Sequence, residues 1–178
     1  MSRRERVVVG VDGSTGSRDA LLFALEEAVR RDVDLIVVAV VIALPHWPEA
    51  YMVAGPSFTE EREAGMRTAV RLMVDDVLAA RPALAAARVH LHVVGGLPAE
   101  VLIEQSRGAD LLVVGHRGRG GLASAVLGSV GLQCVLHAEC PVVVVRPAVP
   151  QQPTEKAEPV AERSGRSGPG SAFVGPLY

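Results

Sequence analysis

Short β-branched apolar runs alternate along this chain with longer segments in which apolar residues recur at helical spacing. Runs of the first kind are typical of strands buried on both faces, and segments of the second kind of amphipathic helices. The five predicted strands are residues 7–11, 35–41, 89–93, 111–114 and 142–145. Strands that alternate with helices indicate parallel βαβ units, so the predicted fold is a three-layer α/β/α sandwich.

The third predicted strand differs from the others because its apolar and polar residues alternate strictly. His90 and His92 fall on its polar face. This alternation predicts one apolar face and a position at the edge of the sheet. Two imidazoles on one face could bind a metal ion, but no third ligand lies nearby in the sequence, so a solvated face is the favoured interpretation.

Residues 43–58 interrupt the periodicity with three prolines and a glycine. We expect a loop of about 15 residues here, followed by a helix that Thr59 caps and Pro82 ends. Trp47 and Tyr51 lie in this loop. The favoured interpretation is that they pack on the following helix, and the alternative is that they cover a ligand.

The composition changes after residue 147, where proline, glycine and serine accumulate and charges of both signs balance. This part of the chain has no sustained periodicity. We therefore predict one folded domain over residues 1–147 and a disordered tail over 148–178.

Composition narrows the possible partners. The 178 residues carry a net charge of −2, and aromatic residues make up 3%. Both values argue against a nucleic-acid-binding protein. No apolar run reaches the roughly 18 residues that a membrane span requires. Cys134 and Cys140 follow neither a metal-binding nor a redox spacing, and a reduced, cytoplasmic protein is expected.

The stretch from Val113 to Val130 places a strand, a glycine-rich loop and a helix start in that order. The apolar run stops at Gly115, and a new periodic segment opens at Gly128. Glycines let backbone N–H groups approach an anion, and the first N–H groups of a helix carry partial positive charge. Ser129 adds a hydroxyl donor, so the stretch predicts a phosphate-binding site.

The glycine spacing of this stretch is specific. Gly115 is followed after two residues by Gly118, and after nine more by Gly128 and Ser129. No lysine precedes the serine, which excludes the P-loop, and the third glycine of the dinucleotide fingerprint is missing. The pattern resembles the ATP-binding motif of the universal stress protein family. Residues 136–146 also resemble the last helix and strand of that family.

This resemblance spans about residues 5–147 and implies a Rossmann-like fold of the adenine nucleotide alpha hydrolase type. The implied sheet is parallel and five-stranded, with strand order 3-2-1-4-5. Ligands of such folds bind where the strand order reverses, here between the first and fourth strands. The two strongest turn sequences, residues 10–13 and the loop after Gly115, follow those same two strands.

The resemblance also implies residues for the base and the ribose of ATP. Val11 and Asp12 match positions that border the adenine and ribose, and Gly10 belongs to the same turn. Val40, at the end of the second strand, matches the adenine-side position. Asp12 has a second, compatible interpretation as a turn residue that accepts hydrogen bonds from the following amides.

The implied phosphate contacts come from the glycine-rich loop and the helix start that follows it. Arg117 and Arg119 occupy loop positions that are basic or polar in this family, and their positive charge would neutralise the negative charge of the phosphates. A Mg²⁺ ion is expected to accompany the phosphates, with Asp12 as its candidate protein ligand. The implied phosphate-site residues are Gly115, Arg117, Gly118, Arg119, Gly128, Ser129 and Val130.

The sequence offers no catalytic constellation. Asp12 is the only plausible acid at the predicted site and His116 the only plausible base. We favour the interpretation of His116 as a loop residue that contacts solvent or ligand. The expected function is therefore nucleotide-dependent regulation in a stress response, with at most slow ATP hydrolysis, and the protein is not expected to be an enzyme.

Two other classes compete with this function. One is a dimeric interaction protein of the same family that binds no nucleotide, which the intact glycine spacing disfavours. The other is an adenine-nucleotide enzyme on the same fold, such as a relative of ATP pyrophosphatases or electron-transfer flavoproteins. That class is expected to have other signature loops or a larger chain.

A homodimer is expected through residues 142–145. This very apolar strand lies at an edge of the sheet in the implied strand order, and exposed apolar edges pair readily. The alternative is that the tail, residues 148–178, covers this edge and keeps the protein monomeric.

Overall fold

The structure is a computed structural model that describes residues 5–42, 48–116, 118 and 127–146, and only the backbone over 48–59. The predictions for Trp47, the side chain of Tyr51, Arg117, Arg119 and the tail 148–178 lie outside this description.

Five parallel strands form one sheet in the order β3-β2-β1-β4-β5, which confirms the predicted fold and strand order. The strands are β1 (Arg6–Val11), β2 (Asp34–Val41), β3 (Arg88–Gly95), β4 (Leu111–Gly115) and β5 (Val142–Val145). The helices are α1 (Thr15–Arg31), α2 (Pro48–Ala80), α3 (Pro98–Gln105) and α4 (Ser129–His137), with a one-turn 3₁₀ helix at Pro82–Leu84.

The core lies on both faces of the sheet. Along β1, Val7 and Val9 pack on one face with α1 and α2, whereas Val8 packs on the other face with Leu102 of α3 and Cys134 of α4. All five are fully or almost fully buried. Since successive strand residues point to opposite faces, a central strand between two helix layers must be apolar throughout.

Helix α2 is longer than the sequence predicts. It begins at Pro48 and runs for 33 residues, so Gly55 and Pro56 lie inside it and Thr59 does not cap it. A proline inside a helix removes one backbone hydrogen bond and clashes with the carbonyl one turn earlier, which costs about 3 kcal/mol. A helix of this length can offset that cost over its other turns. Among the described helices, none is long and apolar enough to cross a membrane.

Both cysteines are free. Cys134 is fully buried on α4, and Cys140 packs against the same cluster at the sheet face. Burial, and secondarily the nearby Cys140, raises the pKa of the Cys134 thiol to about 11. The thiol of Cys134 therefore stays protonated and unreactive near neutral pH.

An ion-pair cluster anchors the β3 edge. The Arg88 Nε donates to Asp34 Oδ1 at 2.7 Å, and its Nη1 donates to Asp32 Oδ1 at 2.8 Å. Asp32 ends α1 in the left-handed conformation, with φ 54°. One guanidinium thus joins the end of α1 to the first residues of β2 and β3. The hydrogen bond from Arg88 is the main reason that the pKa of the Asp34 carboxyl is lowered in the folded protein.

We predict that Asp34→Asn lowers the stability of the domain at pH 7 but has little effect under acid. Because the folded state depresses the pKa of Asp34, its contribution is present above the unfolded value of about 3.9 and is lost as pH falls through the folded value. Urea denaturation from pH 7 to pH 2.5 should show the variant's midpoint below that of the wild type, with the two converging at low pH. Asp75→Asn, at an exposed position on α2, is the matched control and should show no such dependence.

Candidate functional site

The carboxyl ends of the strands lie along one edge of the sheet. The strand order reverses between β1 and β4, which pair in parallel over Val7–Val9 and Leu111–Val113. The helices that follow β1 and β2 and those that follow β3 and β4 leave to opposite faces. A crevice therefore opens beyond the ends of β1 and β4.

The turn after β1 holds Asp12 in a fixed orientation. Asp12 Oδ1 accepts hydrogen bonds from the Ser14 backbone N–H at 3.0 Å and from the Ser14 hydroxyl at 2.6 Å. The Ser14 Oγ in turn accepts from the Ser17 N–H at 3.2 Å and caps α1. Gly13 between them has φ 85°, a conformation that glycine adopts without strain. The predicted turn role of Asp12 is confirmed.

The end of β4 contacts the start of α1 through backbone alone. A Cβ atom added at Gly115 would lie 2.8 Å from the carbonyl oxygen of Gly16 and 3.2 Å from the nitrogen of Ser17. Neither neighbour is a side chain that could move aside. Because Gly115 has no side chain, the last residue of β4 can lie directly against the first turn of α1.

The second glycine of the motif lies beside Asp12. A Cβ atom at Gly118 would lie 2.6 Å from Asp12 Oδ2. This is the second carboxylate oxygen, since Ser14 bonds to Oδ1. The loop after β4 and the turn after β1 thus meet at this point. The sequence predicted that these two segments share a site, and the structure brings Gly118 against Asp12 and Gly115 against the first turn of α1.

His116 is a buried residue of the loop, so the predicted contact with solvent is wrong, whereas the alternative contact with a ligand stays a prediction. Its side chain is buried, with 7% exposed. Its backbone N–H donates to the carbonyl of Val145 at 2.7 Å, and its carbonyl accepts from the Gly128 N–H at 3.0 Å. His116 therefore fixes the start of α4 and the end of β5 relative to the end of β4.

The N-terminus of α4 provides uncapped backbone donors. Gly128 is its N-cap residue, with an extended backbone and no side-chain cap hydrogen bond. Ser129 in the first turn is exposed, whereas the Val130 side chain packs against the core. Val130 can therefore offer a ligand only its backbone N–H. The arrangement suits an oxyanion, because the first N–H groups of a helix lack internal partners.

The remaining predicted residues differ in what they present to the crevice. The Gly10 position faces α3, where an added Cβ would lie 2.8 Å from Leu102 Cδ1, so its lack of a side chain serves helix packing. Val11 is buried in the core, and Val40 is half-buried on the opposite face of the sheet. Sequence reasoning did not foresee that the backbone of Gly16 and Ser17 contacts Gly115.

The sequence of the chain matches the universal stress protein family over residues 3–146. The chain belongs to the universal stress protein family. It is 38% identical over 148 residues to a universal stress protein of Mycobacterium tuberculosis, an alignment that covers 79% of this chain and 44% of that protein. The chain spans about half the length of the curated relatives it matches.

Solved universal stress proteins share this fold. The universal stress protein UspA from Lactobacillus plantarum superposes with a TM-score of 0.68 at 25% identity, covering 82% of this chain and 100% of that one. A universal stress protein in complex with cAMP superposes with a TM-score of 0.59 at 26% identity, covering 82% and 98% of the two chains.

We predict that Gly115→Ala destabilises this universal stress protein domain by about 1–3 kcal/mol, the usual cost of forcing an extra methyl group into a packed contact. Gly65→Ala is the matched control, because nothing lies within 4 Å of its added Cβ in helix α2. The control should be neutral or more stable by up to about 1 kcal/mol. Chemical denaturation measures both; equal stability of the two variants would contradict the close contact.

Proposed function

We propose that this universal stress protein binds ATP with Mg²⁺ at the crevice between β1 and β4 and acts as a nucleotide-dependent regulatory module. The observation that carries the proposal is the meeting of Gly118 with Asp12, 2.6 Å from an added Cβ to Oδ2. The backbone of Gly118 lies so close to the Asp12 carboxylate that a side chain would not fit there, which brings the loop after β4 against the turn after β1. This meeting point lies where ligands bind in doubly wound folds.

The base of the nucleotide is assigned to the ends of β1 and β2. Val40 is half-buried next to the end of β2, and Gly10 and Val11 end the neighbouring strand in parallel register. Apolar contacts there, with backbone hydrogen bonds, suit a purine. The cAMP complex of a universal stress protein that is 26% identical to this chain supports an adenine nucleotide as the class of ligand.

The phosphates are assigned to the N-terminus of α4. Gly128 has no side-chain cap, and Ser129 is exposed in the first turn, so backbone N–H groups and a hydroxyl can face an oxyanion. A carboxylate at Asp12 would repel phosphates on its own. A Mg²⁺ ion held between them would offset this repulsion, and the Oδ2 side of Asp12 is the part of the carboxylate that faces the loop.

We propose binding rather than rapid turnover. The His116 side chain is buried, and Oδ1 of Asp12 is engaged by Ser14. Neither group is arranged as a base that activates water. Occupancy by ATP would instead shift the population of conformations of the loop, and through it the interactions of the protein, with hydrolysis slow at most.

We predict that Mg-ATP raises the melting temperature of the wild type by several degrees and that Gly118→Glu abolishes the rise. Ligand at 100 times its dissociation constant adds about 2.7 kcal/mol of stability. A glutamate at this position would place bulk and negative charge against Asp12. Ser129→Ala should reduce the shift, and Gly65→Ala should keep it in full.

Differential scanning fluorimetry with nucleotide-free protein makes this measurement, and circular dichroism verifies that each variant is folded. If the folded wild type shows no shift, the ATP-binding proposal is wrong. The alternative would then be an interaction protein of the same family that binds no nucleotide.

We also propose a homodimer that pairs the β5 edges of two copies. β5 is half-buried along its whole length and lies at one end of the sheet order. The neighbouring helix α4 exposes three large apolar side chains, Leu132, Val135 and Leu136, with 44%, 49% and 62% of their surface accessible. An exposed apolar edge beside an apolar helix face favours association.

We expect sedimentation equilibrium to show a dimer of the wild type at tens of micromolar, and Leu136→Glu to weaken it by about ten-fold or more because a charge would be buried at the interface. The matched control is Leu72→Glu, which alters an equally exposed leucine of α2 and should leave the dimer intact. A monomeric wild type, or equal effects of the two variants, would refute this interface.

A further inference from the structure

Two imidazoles project from the same face of the β3 edge strand. His90 and His92 are two residues apart, and both are exposed. They pair in register with Ile36 and Val38 of β2, whose side chains pack on the α3–α4 face of the sheet. Side chains two apart on a strand emerge about 6.6 Å from one another on the same face, so these two rings are neighbours.

Each imidazole is oriented by an oxygen acceptor on another element. His90 Nε2 lies 3.4 Å from Asp34 Oδ2 on β2. His92 Nδ1 lies 3.2 Å from Gln105 Oε1 at the end of α3. When these nitrogens carry the proton and donate it, His90 Nδ1 and His92 Nε2 are left with a lone pair. An oxygen acceptor behind each ring is the arrangement that fixes the tautomer of a metal-binding histidine.

Asp34 is itself held in place, which makes it a suitable outer partner. Arg88 Nε donates to Asp34 Oδ1 at 2.7 Å, so the two carboxylate oxygens face Arg88 and His90 respectively. The carboxylate is thus prevented from swinging away from His90. In this orientation Oδ2 of Asp34 can accept a hydrogen bond from the His90 ring.

We propose that His90 and His92 bind one divalent transition cation of the kind that prefers imidazole, with Cu²⁺ bound more tightly than Ni²⁺ or Zn²⁺. With metal–nitrogen bonds of about 2.0–2.1 Å, one ion between two rings that leave the same strand face two residues apart can bind a nitrogen of each. Within the described ranges, no group of three or more histidine, cysteine or acidic side chains could hold a metal ion. Among the described residues, the two imidazoles are therefore the protein ligands that we assign to the ion.

This site is separate from the proposed nucleotide site. β3 lies at the outer end of the sheet, and β2 stands between it and β1. The two sites would also bind different ions, because Mg²⁺ prefers carboxylate and phosphate oxygens, whereas imidazole nitrogens suit Cu²⁺, Ni²⁺ and Zn²⁺. The inference stands on its own geometry and does not depend on nucleotide binding.

Isothermal titration of the tag-free full chain with CuCl₂ tests the site, in a weakly coordinating buffer and with the Cys140 thiol alkylated beforehand, because Cys134 is buried. We expect one Cu²⁺ per chain, bound at least about ten-fold more weakly by His92→Ala, since even the loss of an outer-shell partner commonly costs 10–100-fold. Gln105→Ala should also weaken binding, whereas His137→Ala, at an exposed histidine of α4, should match the wild type. Electron paramagnetic resonance should show two coordinating nitrogens in the wild type.

The double variant His90→Ala/His92→Ala keeps the other three histidines of the chain. Its titration therefore measures the Cu²⁺ that binds elsewhere on the protein. Because both side chains are exposed, melting temperatures without metal should confirm that the variants are folded. The proposal is overturned if the double variant binds Cu²⁺ as the wild type does, or if His137→Ala loses as much affinity as His92→Ala.

Discussion

The contact of β4 with the first turn of α1 is the constraint on which the rest of the site depends. At Gly115 and Gly16 two backbone segments approach so closely that a single added carbon atom would lie 2.8 Å from a carbonyl oxygen. Backbone atoms cannot rotate away as side chains can. The position of the loop after β4 is therefore determined by the position of α1, and with it the approach of Gly118 to Asp12 and the start of α4 beyond His116.

The sequence predicted most of the architecture because its signals were local. Apolar runs and one alternating segment were sufficient to predict the five strands, whereas the strand order and the place where it reverses came from the resemblance to the universal stress protein family. The strict alternation around His90 placed β3 at an edge correctly. Each of these signals reflects a requirement that acts within a few residues or on a whole strand.

The sequence could not predict features that depend on what a residue contacts in the folded chain. His116 was expected to contact solvent or ligand, but its side chain is buried, and its backbone bonds to Val145 and Gly128, which are distant in sequence. At Gly10 the sequence could not show that the missing side chain also leaves room for Leu102 of α3. Pro56 was read as a helix breaker, and the helix continues through it. In each case tertiary context outweighed a local rule.

The two edges of the sheet have opposite characters. β3 presents exposed polar side chains and an arginine held between two aspartates, whereas β5 is a run of four valines. Charged and polar residues on an edge strand oppose pairing with another sheet. When only the β5 edge can pair with another sheet, the sheet can be extended only once, by the β5 edge of a second copy. Association through β5 would therefore close as a pair related by two-fold symmetry and would not grow into a filament.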